Sequence, residues 1–164
     1  MHSPDPANGF IFHLIDERQT ARLGAALAPL FGPGDTVLLR GGLGAGKSAL
    51  ARAVIGVALG DPEAEIPSPT YTLINIYETA GGPIWHADLY RLAGDAEEIE
   101  QLGLDDAIGM ALVIIEWPER LGMTLPERRL EVALSAPRQG GRDAAITLHG
   151  GGWDRVAALL RGWG

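Results

Sequence analysis

One eight-residue stretch, Gly41-Gly42-Leu43-Gly44-Ala45-Gly46-Lys47-Ser48, leaves this chain little choice of fold. It fits G-x-x-x-x-G-K-[ST], a phosphate-binding loop that works only between a strand and a helix. Both flanks comply. Thr36-Val37-Leu38-Leu39 reads as a short buried strand, with three apolar residues in succession between turn signals. Ala49 to Leu59 reads as a helix, with Leu50, Val54, Val57 and Ala58 on one face. The glycines let successive N–H groups turn inward as a nest for phosphate oxygens, and the helix adds its positive dipole end. Gly44, Ala45, Gly46, Lys47, Ser48 and Ala49 are therefore the expected nucleotide contacts. Lys47, the only lysine in the chain, would neutralise the β- and γ-phosphates, and the Ser48 hydroxyl would ligate Mg²⁺.

The 164 residues suffice for one domain with a real core and are too few for two ordinary ones. Apolar residues make up 46% and charged residues 21%, a globular rather than a disordered composition. With no cysteine, disulfides, thiolate zinc sites and a thiol nucleophile are excluded. The first residues carry no basic segment followed by an apolar run, and no apolar stretch approaches the roughly 18 residues of a membrane span, so a cytoplasmic protein without membrane contact is expected. Asp and Glu number 21 against 13 Lys and Arg, a formal charge of −8. A protein that grips a nucleic-acid backbone is expected to show a basic patch, and here only Arg128 and Arg129 are adjacent. Any role with RNA or DNA would run through a partner.

Along the chain, residues 1–9 read as a frayed tail and 10–164 as a single domain. Phe10 to Leu14 reads as a strand, followed by a helix from Asp16 to Leu30 with Asp16 as N-cap and Gln19 in capping-box position. A strand at Leu73 to Tyr77 and another at Ile84 to Asp88 flank the turn Gly81-Gly82-Pro83. Alternation puts Trp85 and Ala87 on one face of the second strand, His86 and Asp88 on the other. Asp95 and Glu98 open an acidic helix toward Leu102. Ala111 to Ile115 has the composition of a central parallel strand buried on both faces. Leu130 to Leu134 and Ala144 to Leu148 suggest an antiparallel hairpin at the sheet edge, and Trp153 to Arg161 a closing helix. The order predicts an α/β fold, a mostly parallel sheet flanked by helices, with ligands at the carboxyl ends of its strands.

Hydrolysis needs more than a phosphate loop: a carboxylate on the metal side and a group that holds water. Glu116 closes the most buried strand, where such a metal-side acid belongs, and Asp88 closes another. Either taken alone is equally well a solvated strand-end acid; together with the loop they read as a functional pair. Ser68-Pro69-Thr70-Tyr71 reads, by spacing alone, as an ordinary proline turn. His86 reads as a hydrogen-bonded structural partner of an acid in preference to a general base. Trp117 is either a lid over the site or core packing.

Taken together, Gly41 to Ser48, Ser68-Pro69-Thr70-Tyr71-Thr72-Leu73, His86-Ala87-Asp88-Leu89-Tyr90-Arg91-Leu92 and Ile115-Glu116-Trp117-Pro118 resemble the TsaE (YjeE) family of bacterial ATPases, in that family's order and spacing. The resemblance spans about residues 10 to 148. It implies slow hydrolysis of ATP with Mg²⁺, and association with the TsaB and TsaD proteins that form threonylcarbamoyladenosine at adenosine 37 of tRNAs reading ANN codons. It also implies that Ser48 and Glu116 hold the metal, that Asp88 assists hydrolysis, that Thr70 belongs to a switch-like loop, and that Arg142 lies near the nucleotide. Two positions depart from the family: Gly42 stands where Asp is usual, and Ser48 where Thr is usual. Serine keeps the metal-binding hydroxyl; an acid at 42 is lost.

Two other readings compete. A small-molecule kinase of the same fold would need an acceptor pocket and an arginine-rich lid, for which Pro137 to Gly141 and its flanking arginines are the only candidate. A nucleotide-gated assembly factor, whose hydrolysis serves as a timer, is compatible with the family. A GTPase would need a second lysine in its guanine-reading element, and the chain has none.

Overall fold

The computed structural model describes residues 8–122 and 125–164. One seven-stranded sheet organises them: β1 (Gly9–Leu14), β2 (Thr36–Arg40), β3 (Ile74–Thr79), β4 (Gly82–Asp88), β5 (Leu112–Glu116), β6 (Arg129–Ser135) and β7 (Arg142–His149), in the spatial order β1-β7-β6-β2-β5-β4-β3. The four central strands β6, β2, β5 and β4 run parallel, and the three outer pairings are antiparallel. The expected α/β class holds, with the sheet mixed: parallel in its centre, antiparallel at its margins. The expected hairpin forms as β6 and β7, but it is not at the edge. β1 pairs with β7 along Gly9 to Leu14 and covers it, so the edges are β1 and β3. The first strand begins at Gly9, inside the expected tail; residues 1–7 of that tail lie outside the described residues.

Among the described residues five α-helices flank the sheet: α1 (Glu17–Leu27), α2 (Lys47–Ala58), α3 (Ala96–Gln101), α4 (Leu104–Ala107) and α5 (Asp154–Arg161). The Asp16 carboxylate caps α1 by accepting from Gln19 N at 2.9 Å, and the Gln19 side chain returns to Ile15 N at 2.9 Å. The α-helix stops at Leu27 and tightens into a 3-10 turn over Ala28–Leu30, because Pro29 cannot donate an α-helical hydrogen bond. Asp95 caps α3 through Glu98 N at 2.7 Å. The short α4 has no counterpart in the sequence reading; Gly103, at φ 74°, turns the chain into it.

Strand alternation divides the core. Val37, Leu39, Leu112, Ile114, Val132, Ala144 and Ile146 pack with α1, α2 and α5 on one face. Leu38, Ala87, Val113 and Ile115 meet Leu104, Ala107 and Leu121 on the other. All five residues of β5 are buried, as a strand with parallel neighbours on both sides requires. Among the described residues no helix is long and apolar enough to cross a membrane.

Helices α1 and α2 approach each other closely at Gly24 of α1. A Cβ there would stand 2.8 Å from the Leu50 carbonyl oxygen and 3.0 Å from the Ala53 Cβ, both on α2. A glycine inside a helix ordinarily costs roughly 0.5–1 kcal/mol relative to alanine. Here the sign reverses. Gly24→Ala is expected to destabilise the protein by about 1–3 kcal/mol through overpacking, read as a lower urea midpoint at unchanged m.

Candidate functional site

Because β2, β4, β5 and β6 are parallel, their carboxyl ends lie together, and the loop Gly41 to Ser48 leaves β2 at that level. A cleft of about 390 Å³ opens there, and the ten residues singled out in the sequence all line it: Gly44, Ala45, Gly46, Lys47, Ser48, Ala49, Thr70, Asp88, Glu116 and Arg142. Two glycines are obligatory. Gly41 passes so close to β6 that a Cβ would sit 2.5 Å from the Leu134 carbonyl oxygen. Gly46 caps α2 at φ 106°, a conformation that L side chains rarely adopt. From Gly46 the chain enters α2 directly at Lys47, two residues earlier than the apolar periodicity suggests, so the helix dipole begins at the loop itself.

Lys47 is 5% exposed. Its Nζ donates to the carbonyl oxygens of Gly41 and Gly42, each at 2.7 Å, and lies 4.2 Å from the centroid of the Trp117 ring. Burial pulls its pKa below the ordinary lysine value, and the carboxylates of Glu116, Asp88 and Glu119 oppose that shift. Trp117 is both wall and packing: its ring covers Lys47 and meets the Tyr90 ring at 4.9 Å. Its backbone reaches that place through the left-handed region, at φ 60°.

Glu116 and Asp88 are register partners at the ends of β5 and β4, on the sheet face that α2 covers. Glu116 is 1% exposed, and its two oxygens have different partners. Oε1 accepts from Ser48 Oγ at 2.8 Å; Oε2 meets His86 Nε2 at 2.7 Å. His86 is therefore the hydrogen-bonded partner of an acid, and that acid is Glu116, not its strand neighbour Asp88. Asp88 accepts from Tyr90 N at 3.1 Å and from Thr70 Oγ1 at 3.3 Å. Thr70 Oγ1 also lies 2.7 Å from Ser68 Oγ, so the Ser68 to Tyr71 segment is tied to the strand-end acid. A hydroxyl and a carboxylate in contact at a phosphate loop suit Mg²⁺, a hard cation that takes oxygen ligands and keeps several from phosphates and water.

Arg142, at the start of β7, lies over the loop: its Nη2 donates to Gly44 O at 3.3 Å, and its side chain would meet a Cβ at Gly46 within 2.9 Å. Gly42 has no such constraint, and a side chain there would meet open space. Glu17 and Arg52 also line the cleft and were not singled out in the sequence. Arg52 was reachable, since it falls one helical turn after Ser48; Glu17 comes from α1, and nothing local signals it.

Residues 14–144 match the family model described as "Threonylcarbamoyl adenosine biosynthesis protein TsaE". Similar proteins carry the name tRNA threonylcarbamoyladenosine biosynthesis protein TsaE. That of Rickettsia felis is 38% identical over 133 residues, 81% of this chain and 77% of the relative. That of Streptomyces coelicolor is 39% identical over 114 residues, 68% and 76% of the two chains. That of Nostoc sp. is 37% identical over 140 residues, 82% and 83% of the two chains. The crystal structure of Bacillus subtilis YdiB shares the fold, with a TM-score of 0.73 at 24% identity over 99% of this chain and 95% of that one.

The link from Thr70 to Asp88 can be probed without any ligand. Thr70→Val removes the hydroxyl and keeps the side-chain shape. Amides of residues 68 and 70–73 are expected to exchange about five-fold faster, for a loss of roughly 1 kcal/mol of local stability. Amides of β5 should be unchanged in the same hydrogen-exchange measurement.

Proposed function

The chain belongs to the TsaE family, and from that premise we propose that it binds ATP with Mg²⁺ in the cleft at the strand ends and hydrolyses it slowly. In this reading hydrolysis supports a TsaB–TsaD pair as it forms N6-threonylcarbamoyladenosine at position 37 of tRNAs reading ANN codons. The names of the relatives support the pathway; TsaB and TsaD come from the family resemblance. The observation that carries the nucleotide reading is the contact of Ser48 Oγ with Glu116 Oε1 at 2.8 Å beneath a glycine loop that holds the chain's one lysine.

Each residue has a task that its position supports. Loop N–H groups from Gly44 to Ala49 and the dipole of α2 cradle the phosphates. Lys47 leaves the Gly41 and Gly42 carbonyls to pair with the β- and γ-phosphates, and Arg142 adds charge from the opposite side. Ser48 and Glu116 hold Mg²⁺, which when bound offsets charge on the phosphate oxygens. Asp88 orients the attacking water, and Thr70, bonded to Asp88, registers whether a γ-phosphate is present. With a formal charge of −8 the chain has no favourable electrostatic term toward a polyanion, so tRNA is held by the partners.

Three variants test the reading. Lys47→Ala is expected to weaken ATP binding about ten-fold or more, since charge-assisted contacts contribute roughly 1.5–3 kcal/mol each. It should also abolish turnover. Glu116→Gln is expected to raise the Mg²⁺ concentration that turnover requires. Asp88→Asn should cut turnover while ATP affinity, measured by calorimetry, stays nearly intact. Unaltered ATP affinity in Lys47→Ala would remove the nucleotide assignment; exchanged phenotypes for the two acids would exchange their roles.

A further inference from the structure

We propose that His86 is a positioning residue for Glu116, fixing the orientation of its carboxylate so that one oxygen faces the phosphate loop and the acid is preset for a divalent cation. The proposal rests on the nucleotide reading above. His86 is 0% exposed and sits on β4, two residues before Asp88 on the same face. It is paired across the ladder with Ile114 of β5, so Glu116 is its diagonal neighbour, within reach of a long side chain. The carboxylate can only accept, so the hydrogen of the 2.7 Å contact belongs to His86 Nε2. The other ring nitrogen, Nδ1, has no hydrogen-bond partner among the described residues.

An imidazole whose second nitrogen is orphaned in the core is a poor choice for packing, because a buried polar atom without a partner loses its hydration and gains nothing in return. Ile84 on the same face of β4 and Ile114 beside it show that an aliphatic side chain suits the place. What His86 supplies and an aliphatic residue cannot is the donor to Oε2. With Oε2 held, the free rotation of the carboxylate stops and Oε1 points to Ser48.

The alternative partner for a loosened Glu116 is the Lys47 ammonium, which already feels the charge of that carboxylate. A Glu116 turned onto Lys47 would take the cation from the phosphates and the ligand from the metal at once. His86 keeps the two charges on separate duties. Donors behind a ligating carboxylate characteristically tune metal affinity about 10- to 100-fold.

The test reads metal binding separately from turnover. Mn²⁺ affinity of the full chain saturated with a non-hydrolysable ATP analogue is measured by Mn²⁺ electron paramagnetic resonance. Affinity for the analogue itself is measured in EDTA. His86→Leu is expected to lower Mn²⁺ affinity about 10- to 100-fold while binding of the analogue in EDTA is unchanged. His86→Gln, whose amide nitrogen reaches the place of Nε2, should restore Mn²⁺ affinity, whereas His86→Asn, whose amide lies at the level of Nδ1, should not. If His86→Leu does not fold, the contrast between Gln and Asn decides alone. Equal Mn²⁺ affinity in Gln and Asn variants, or an unchanged affinity in a folded Leu variant, would overturn the positioning role and leave the nucleotide reading standing. An unmodified protein that binds neither the analogue nor Mn²⁺ with it would overturn both.

Discussion

The parallel register of three central strands is the constraint on which the rest of this molecule depends. Leu39 of β2, Glu116 of β5 and Asp88 of β4 stand side by side across the ladder. The phosphate loop leaves β2 one residue beyond Leu39, so the register delivers two carboxylates to the level of the loop without any loop having to reach for them. A slip of one residue in either pairing would turn the acid to the opposite face, away from α2. The apolar residues of β2 and β5, buried on both faces, oppose such a slip because it would exchange the two halves of the core.

That geometry concentrates charge in a poorly solvated place, and the surrounding groups are arranged to hold it. Lys47 is the positive member, with two carbonyl oxygens and the face of Trp117 in place of water. Glu116 is the negative one, with a donor on each oxygen. Burial makes each contact strong and makes a missing one costly. Asp88 has the looser setting, with a backbone N–H and the Thr70 hydroxyl, and it joins the strand ends to a loop. The two acids thus differ in their partners: Glu116 is held between Ser48 and His86, whereas Asp88 is joined to the Ser68 to Tyr71 segment.

The local elements of the fold were legible because each rests on short-range physics. The Asp16 and Asp95 caps formed where S/T/D-x-x-E/Q spacing put them, and Leu112 to Ile115 became buried on both faces because four consecutive aliphatic residues leave neither face for water. Pairing between distant strands was not legible. The β6–β7 hairpin read as an edge because nothing in Phe10 to Leu14 announces that it will lie beside Arg142 to His149, more than a hundred residues away. The start of α2 falls two residues before the one that apolar periodicity predicts for a different reason: periodicity cannot see Lys47 and Ser48, polar residues that are helical because the loop requires it.

The sequence by itself determined the chemistry of the cleft, because the spacing of Gly41 to Ser48 leaves only one way for a backbone to present N–H groups, an ammonium and a hydroxyl together. It also determined which strands end in acids, through the alternation of β4 and the unbroken apolar run of β5. Only the tertiary structure decided who holds whom. That His86 serves Glu116 and not Asp88, that Thr70 reaches Asp88 over 18 positions, and that Arg142 comes back onto Gly44 over 98 positions follow from strand order and register. Those are set by burial summed over the whole sheet, a sum to which no short stretch of residues has access.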